Sequence, residues 1–249
     1  PIPDPLWSRG LGDVYKRQVV LDNFSSKFEP GRINLIIGRS GSGKTMTIKC
    51  MLGLHQVDCG SIYFDNRNFI SLSERDRKKI RKEIGMVFQG SALFDSMTVS
   101  ENVMFPLTMS SKMTKAKMIE RVNFCLNRVD LKNANNLYPS ELSGGMQKRV
   151  AIARAISLNP KYLFCDEPNS GLDPATAKVI DNLLKEITYE YKITTVINTH
   201  DMNSVVDIGD RIIYIEEGRK KWEGDKKTFL ETDDKELHYF KSSSKLFTK

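Results

Sequence analysis

Apolar residues along the chain fall in short blocks, and the period of each block changes from two to three-and-four and back. Val19 to Phe28 and Arg32 to Ile37 have strand character on either side of a Glu29-Pro30-Gly31 turn. A Gly/Ser loop follows, then a helix-length stretch from Lys44 to Leu54. Ser61 to Phe64 and Ile84 to Phe88 are further strand-like runs, with a basic segment between them. From Thr98 to Val129 the pattern turns helical, Ile119, Val122, Leu126 and Val129 recurring at spacings of three and four. Met146 to Ser157 is an Ala/Arg-rich helix, and Tyr162 to Cys165 is a continuous apolar run ended by an acid pair. An amphipathic helix then places Ala177, Ile180, Leu183, Leu184 and Ile187 on one face, and Thr194 to Asn198 and Arg211 to Ile215 are strands of the buried type. Strands alternating with helices predict an α/β fold built on a mainly parallel sheet with crossover connections. The helical middle, about 98–158, interrupts that alternation and reads as an inserted α subdomain.

Composition narrows the class. The chain has 249 residues, 40% hydrophobic and 28% charged, which is a globular composition with enough length for a sizeable core. No run reaches the roughly 18 apolar residues that cross a membrane. The start, Pro1-Ile2-Pro3-Asp4-Pro5, lacks the basic and apolar regions of a secretory signal. Cys50, Cys59, Cys125 and Cys165 form no C-x-x-C pair and read as reduced thiols. The net charge of +7 favours anionic partners, nucleic acid or an anionic membrane face, although a solvated helix explains the Arg75 to Lys82 cluster equally well.

The strongest chemical signal is Gly38-Arg39-Ser40-Gly41-Ser42-Gly43-Lys44-Thr45, directly after a strand and opening a helix. Its glycines let backbone N–H groups curl around phosphate oxygens, assisted by the positive end of the helix dipole. Lys44 can reach the β- and γ-phosphates, and the Thr45 hydroxyl can ligate Mg²⁺. Such a loop calls for an acidic site at the end of another strand, which Tyr162-Leu163-Phe164-Cys165-Asp166-Glu167 supplies. Asp166 can hold the Mg²⁺ shell, and Glu167 can act as general base on the attacking water. Leu142-Ser143-Gly144-Gly145-Met146 opens the Ala/Arg-rich helix, a second natural phosphate site.

With Ser170-Gly171-Leu172-Asp173 after the acid pair, the chain resembles the ATP-binding cassette (ABC) ATPases from about Val19 onward. The matching landmarks, in order, are the Gly38–Thr45 loop, Gln89, the Leu142–Met146 signature, Asp166-Glu167, the Ser170–Asp173 loop and His200. The resemblance implies a P-loop ABC fold, with a small antiparallel N-terminal β part and a helical signature subdomain. It implies ATP and Mg²⁺ as ligands and a head-to-tail homodimer, in which Gly38 to Thr45 of one copy hold ATP against Ser143, Gly144 and Gly145 of the other. Glu167 is then the catalytic base, His200 contacts the γ-phosphate, Gln89 senses Mg²⁺ and γ-phosphate while linking to a membrane permease, and Asp173 communicates across the dimer.

Departures from the commonest pattern are Met146 where Gln is frequent and Asn169 where Thr is frequent. Gly90-Ser91-Ala92-Leu93, Phe94-Asp95 and His200-Asp201-Met202-Asn203-Ser204-Val205 are similar to ATPases of bacterial Mla/Mce-type phospholipid transporters. That similarity implies lipid transport between inner membrane and outer envelope, an Mce-domain partner, and a place on the cytoplasmic face of the inner membrane. The alternative is the ATPase of another, small-molecule importer. A ribosome- or DNA-acting cassette fits poorly, because the chain holds one P-loop and only a short stretch separates Gln89 from Leu142, so no nucleic-acid partner is expected.

Residues 1–18 resemble translated adapter read-through and are expected to be non-native, although Tyr15 falls near the position where an aromatic residue stacks on adenine. The ATP-binding domain is expected over 19–233, with a C-terminal tail, 234–249, whose Leu237, Tyr239, Phe240, Leu246 and Phe247 either dock or stay loose.

Overall fold

Ile33, Leu35, Ile36 and Ile37 leave strand β1 (Ile33–Ile37) no face for water, and all four are fully buried. Ile33, Leu35 and Ile37 enter one apolar cluster and Ile36 the other, so the strand lies between two cores. Burying each such side chain contributes about 1.5–3 kcal/mol. The polar exception, Asn34, is satisfied in place. Its Nδ2 donates to the carbonyls of Glu29, Arg32 and Thr195, and its Oδ1 accepts from Glu29 N at 2.7 Å. A buried amide thereby fixes the turn that feeds the strand.

The computed structural model describes residues 19–242. Around β1 a six-stranded sheet runs β4 (Ile84–Val87), β5 (Tyr162–Asp166), β6 (Thr194–Thr199), β1, β7 (Arg211–Glu216), β8 (Arg219–Asp225). All pairings are parallel except β7 with β8. Burial on both faces is what a parallel sheet covered by crossover helices requires. A two-stranded antiparallel piece, β2 (Tyr63–Phe64) and β3 (Arg67–Asn68), stands beside the second core.

The helices are α1 (Lys44–Met51), α2 (Glu74–Arg81), α3 (Val99–Ser110), α4 (Lys115–Arg128), α5 (Gly144–Ile156), α6 (Pro174–Tyr191), α7 (Met202–Ile208), α8 (Lys226–Glu231) and α9 (Lys235–Ser242). Side chains of Ser73, Thr98, Thr114, Ser143, Asp173, Asp201 and Asp225 cap seven of them by accepting backbone N–H bonds. Helices α3, α4 and α5 lie between β4 and β5 in sequence and pack on one another. In α5 Val150, Ala151, Ile152 and Ala153 are all buried, because the helix is wedged between α3, α4 and β4. The approach is close: a Cβ on Gly85 would lie 2.5 Å from the Ala155 carbonyl oxygen.

Some expectations needed correction. Val19 to Phe28 is irregular, with no ladder partner among the described residues, and Val19 and Val20 are exposed. Asp22 N instead donates to Gly218 O at 2.9 Å. The helix after the Gly-rich loop ends at Met51 rather than Leu54, where Gly53 takes φ +67. Ile119 stays exposed while Val122, Leu126 and Val129 of the same stripe are buried. Part of the C-terminal tail docks: Leu237 and Phe240 are buried, the Phe240 ring 5.0 Å from that of Tyr214. Tyr15, Leu246, Phe247 and the Tyr239 side chain lie outside the described residues. Among the described residues no helix is long and apolar enough to cross a membrane.

Candidate functional site

Parallel strands β1, β5 and β6 end side by side, and register decides what meets there. Ile37 pairs with Thr199, and Asp166 with Asn198. The next residues, Gly38, Glu167 and His200, therefore leave the sheet at one edge, where open α/β sheets bind ligands.

The Gly38–Thr45 segment turns tightly from β1 into α1, with Gly38, Gly41 and Gly43 all at positive φ. Gly38 is forced by contact, since a Cβ there would sit 2.2 Å from Ile215 O of β7. Ser42 N donates to Arg39 O at 3.2 Å, and Ser40 and Gly41 are exposed at the loop tip. Lys44 is buried, its Nζ donating to Gly38 O at 2.8 Å and Arg39 O at 3.0 Å. Burial lowers its pKa, opposed by the charges of Glu167 and Asp166. The lysine head is held inside its own loop, aimed at the space the loop encloses.

Thr45 Oγ1 donates to Asp166 Oδ1 at 3.1 Å, and Asn198 Nδ2 donates to the same oxygen at 3.1 Å. Glu167 Oε1 lies 3.8 Å from Lys44 Nζ, and its Oε2 lies 2.7 Å from His200 Nδ1. Glu167 sits at φ +49, a left-handed backbone conformation that a non-glycine residue adopts only when its surroundings impose it. Its N–H donates to Asn198 O at 3.0 Å, which ties the strained residue to β6.

Gln89 follows β4 and is exposed, its Nε2 donating to Ser170 Oγ at 3.3 Å. Its carbonyl accepts from Lys148 Nζ of α5. Two residues on, Ser91 and Ala92 are both at positive φ, and their carbonyls accept from Arg154 of the same helix at 2.8 and 2.7 Å. Burial lowers the pKa of both cations. Helix α5 thus grips the Gln89 loop at two points.

Ser143, Gly144 and Gly145 begin that helix, Ser143 Oγ accepting from Met146 N at 3.3 Å. Their neighbours are on the far side of the Glu167 loop: Leu172 lies 3.5 Å from a Cβ built on Gly144, and Thr176 2.6 Å from one on Gly145. Asp173 caps α6, accepting from Ala175 N and Thr176 N at 3.1 and 3.0 Å, and the Thr176 hydroxyl together with these backbone bonds lowers its pKa. Within one chain the structure gathers Lys44, Thr45, Asp166, Glu167 and His200 into one cluster. Gln89 connects to it through Ser170, and the signature residues form a separate exposed helix start.

A phosphate-bearing ligand with a hard cation fits this arrangement. Ser42 Oγ and Asn198 Oδ1 are buried without a hydrogen-bond partner, one inside the loop and one beside Asp166. Thr45, Asp166 and Gln89 offer oxygen donors, the chemistry Mg²⁺ selects. Asn198, Lys148 and Arg154 were missed in the sequence. Asn198 was findable from its place two residues before His200 on a buried strand, whereas the two cations are visible only once α5 is seen against β4.

A family profile described as ABC transporter matches residues 21–170. The methionine import ATP-binding protein MetN of Haemophilus influenzae (strain Rd) is 44% identical over 204 residues, 82% of this chain and 59% of that protein. MetN of Clostridium tetani is 41% identical over 212 residues, 85% of this chain and 66% of that protein. The chain therefore spans about three fifths to two thirds of the length of these curated relatives. Among solved structures, the dimeric bacterial ABC transporter cassette MJ0796 superposes with a TM-score of 0.76 at 36% identity, covering 83% of this chain and 90% of that one. The same cassette, in a post-hydrolysis state bound to ADP and Pi, superposes equally well.

These relatives correct the phospholipid expectation: they are named for methionine import, which agrees with the small-molecule alternative. In the segment that carried the lipid resemblance, the Phe94 ring packs at a tilt on Phe105, centroids 4.8 Å apart, and Asn102 pins the Phe94 backbone, which orders the loop.

Proposed function

The chain belongs to the ABC transporter family, and from that premise we propose that it is the ATP-hydrolysing subunit of an importer for methionine or a chemically similar amino acid. The observation that carries the enzymatic part is the convergence of Lys44, Thr45, Asp166, Glu167 and His200 at one sheet edge, with Glu167 between a buried cation at 3.8 Å and an imidazole at 2.7 Å.

In this reading the backbone N–H groups of Gly38 to Thr45 bind the phosphates of ATP, and Lys44 exchanges its two loop carbonyls for β- and γ-phosphate oxygens. Thr45, Asp166 and Gln89 would hold Mg²⁺, which neutralises phosphate charge and polarises the γ-phosphoryl group when bound. Glu167 takes a proton from a water whose oxygen bonds to the γ-phosphorus as the bond to the ADP oxygen breaks, leaving ADP and inorganic phosphate. His200 orients the Glu167 carboxylate through Nδ1 and offers its ring to the γ-phosphate.

The exposed Ser143-Gly144-Gly145 helix start has the chemistry of a second phosphate site but sits apart from the first. A head-to-tail pair of chains supplies the missing half of each site, with Asp173 near the junction. Closure then depends on ATP and reverses after hydrolysis, which is the work a membrane permease would use. The subunit would lie at the cytoplasmic face of the membrane, with its Gln89–Leu107 segment toward the permease.

The test is affinity purification of the Glu167→Gln variant from host membranes in mild detergent with ATP. A permease with a solute-binding protein supports the amino-acid importer. A permease with an Mce-domain protein and bound phospholipid overturns it.

A further inference from the structure

One buried carboxylate stands behind the site and has no part in the chemistry above. Asp181, on α6, is 3% exposed. Its Oδ1 accepts from Asn169 Nδ2 at 2.6 Å, and its Oδ2 accepts from Ser204 Oγ at 2.7 Å. Asn169 Nδ2 also donates to Ser204 Oγ at 3.1 Å, which closes a three-membered ring of contacts. Asn169 stands two residues after Glu167, in the loop that carries Ser170 to Gln89. Ser204 stands four residues after His200, in the first turn of α7.

We infer that Asp181 is a positioning residue: one side chain clamps the loop leaving Glu167 and the helix following His200, and so sets the Glu167–His200 pair from behind. The proposal rests on the ATPase reading for its kinetics, and on geometry alone for the clamp. The geometry supplies a reason for a clamp. Glu167 is held in a left-handed backbone conformation, and such residues persist only where their surroundings over-determine them. On one side the Glu167 N–H is fixed to Asn198 of β6. On the other side the chain turns sharply, Ser170 N donating to Glu167 O at 3.1 Å, and Asn169 is the residue in that turn whose side chain reaches into the protein toward Asp181. Across the pair, His200 is exposed and has no core of its own, so the start of α7 fixes its backbone. Ser204 is the buried hydroxyl of that start.

The clamp is held at a cost, which separates it from an ordinary stabilising contact. Burial pushes the Asp181 carboxyl up to about 6, the hydrogen bonds from Asn169 and Ser204 oppose the rise, and the charges of Asp201 and Asp207 add to it. The Cys165 thiol faces the carboxylate from β5, and Lys178, on Asp181's own helix, is engaged 3.9 Å from Asp207. Stability linked to this group is full at low pH and is lost as pH rises through about 6, because the fold disfavours the charged form. A neutral amide of the same shape removes that cost, so loss of function without loss of stability marks the clamp.

The test uses the full chain and its Asp181→Asn, Asn169→Ala and Ser204→Ala variants at pH 8, with ATP turnover, thermal midpoint and amide hydrogen exchange measured on each. In Asp181→Asn, kcat is expected to fall about tenfold to a hundredfold, the scale of a small misplacement of reacting groups. KM for ATP is expected to stay within about threefold, with the thermal midpoint unchanged or higher. Amides of 169–173 and 201–205 are expected to exchange faster together, and adding Asn169→Ala or Ser204→Ala to Asp181→Asn should lower kcat no further. Unchanged kcat, or a kcat loss matched by a lowered thermal midpoint in Asp181→Asn, overturns the proposal. Absence of turnover in the unsubstituted chain would count against the ATPase reading alone; the exchange of the two segments would still decide the clamp.

Discussion

Replacing Gly38 by Ala adds one methyl group at the point where β1 becomes the Gly38–Thr45 loop, proposed above to bind phosphate. The new Cβ would lie 2.2 Å from Ile215 O and 2.7 Å from Ser42 Oγ. An ordinary C···O contact is roughly 3.3 Å, so one side must retreat by roughly 1 Å. Strand β7 cannot move freely, because Ile37 and Tyr214 are ladder partners and Tyr214 is also packed against Phe240. The displacement therefore falls on the loop, and with it on the amides and on Lys44, whose Nζ is tied to Gly38 O at 2.8 Å. A misplacement of this size costs about a hundredfold in turnover, and ATP affinity is expected to fall with it. Overpacking adds about 1–3 kcal/mol of lost stability. Gly60→Ala is the matched control: it has φ +103, nothing within 4 Å of its Cβ, and lies outside the site. Its expected cost is backbone strain of about 1–2 kcal/mol with ATP affinity unchanged. Affinity by fluorescent-nucleotide titration and stability by urea unfolding read both terms. Gly38→Ala binding ATP within twofold of the unsubstituted chain would refute the contact argument.

Two further outcomes are expected. Of the four cysteines, exposed Cys59 should react rapidly with a thiol reagent and half-buried Cys50 slowly, because burial and Asp58 raise its pKa. Cys125, pushed up to about 11 by burial, and fully buried Cys165 should react only on unfolding; rapid modification of either would mean that the α3–α5 layer or the sheet core is looser than described. Phe240→Ala removes a ring packed 5.0 Å from Tyr214 and should cost about 3–5 kcal/mol, which lowers the thermal midpoint by roughly 6–20 °C. A shift under about 2 °C would mean that α9 does not hold the sheet edge in solution.

The sheet strands, the Gly38–Thr45 loop and the Asp166-Glu167 pair were legible in the sequence because each is local. A buried parallel strand is a continuous apolar run, and a phosphate loop is a contiguous pattern of glycines. What stayed hidden depends on contacts distant in sequence. Val19 to Phe28 has strand character, yet a strand needs a ladder partner, and among the described residues its one backbone bond to the sheet side is from Asp22 N to Gly218 O. Lys148 and Arg154 read as ordinary charges on an Ala/Arg helix until α5 is set against β4 and their heads reach the Gln89–Ala92 carbonyls. Asp181 sits on the buried face of an amphipathic helix, where sequence alone marks a carboxylate as out of place without naming Asn169 and Ser204 as its partners.

The central claim is that each ATP site is completed by a second copy of the chain. The most direct measurement is the solution mass of Glu167→Gln by light scattering, with and without ATP and Mg²⁺. The account predicts the single-chain mass without nucleotide, twice that mass with ATP, and turnover reduced to a small fraction of the unsubstituted rate. A variant that binds ATP yet stays at the single-chain mass, or that hydrolyses at the full rate, would contradict it.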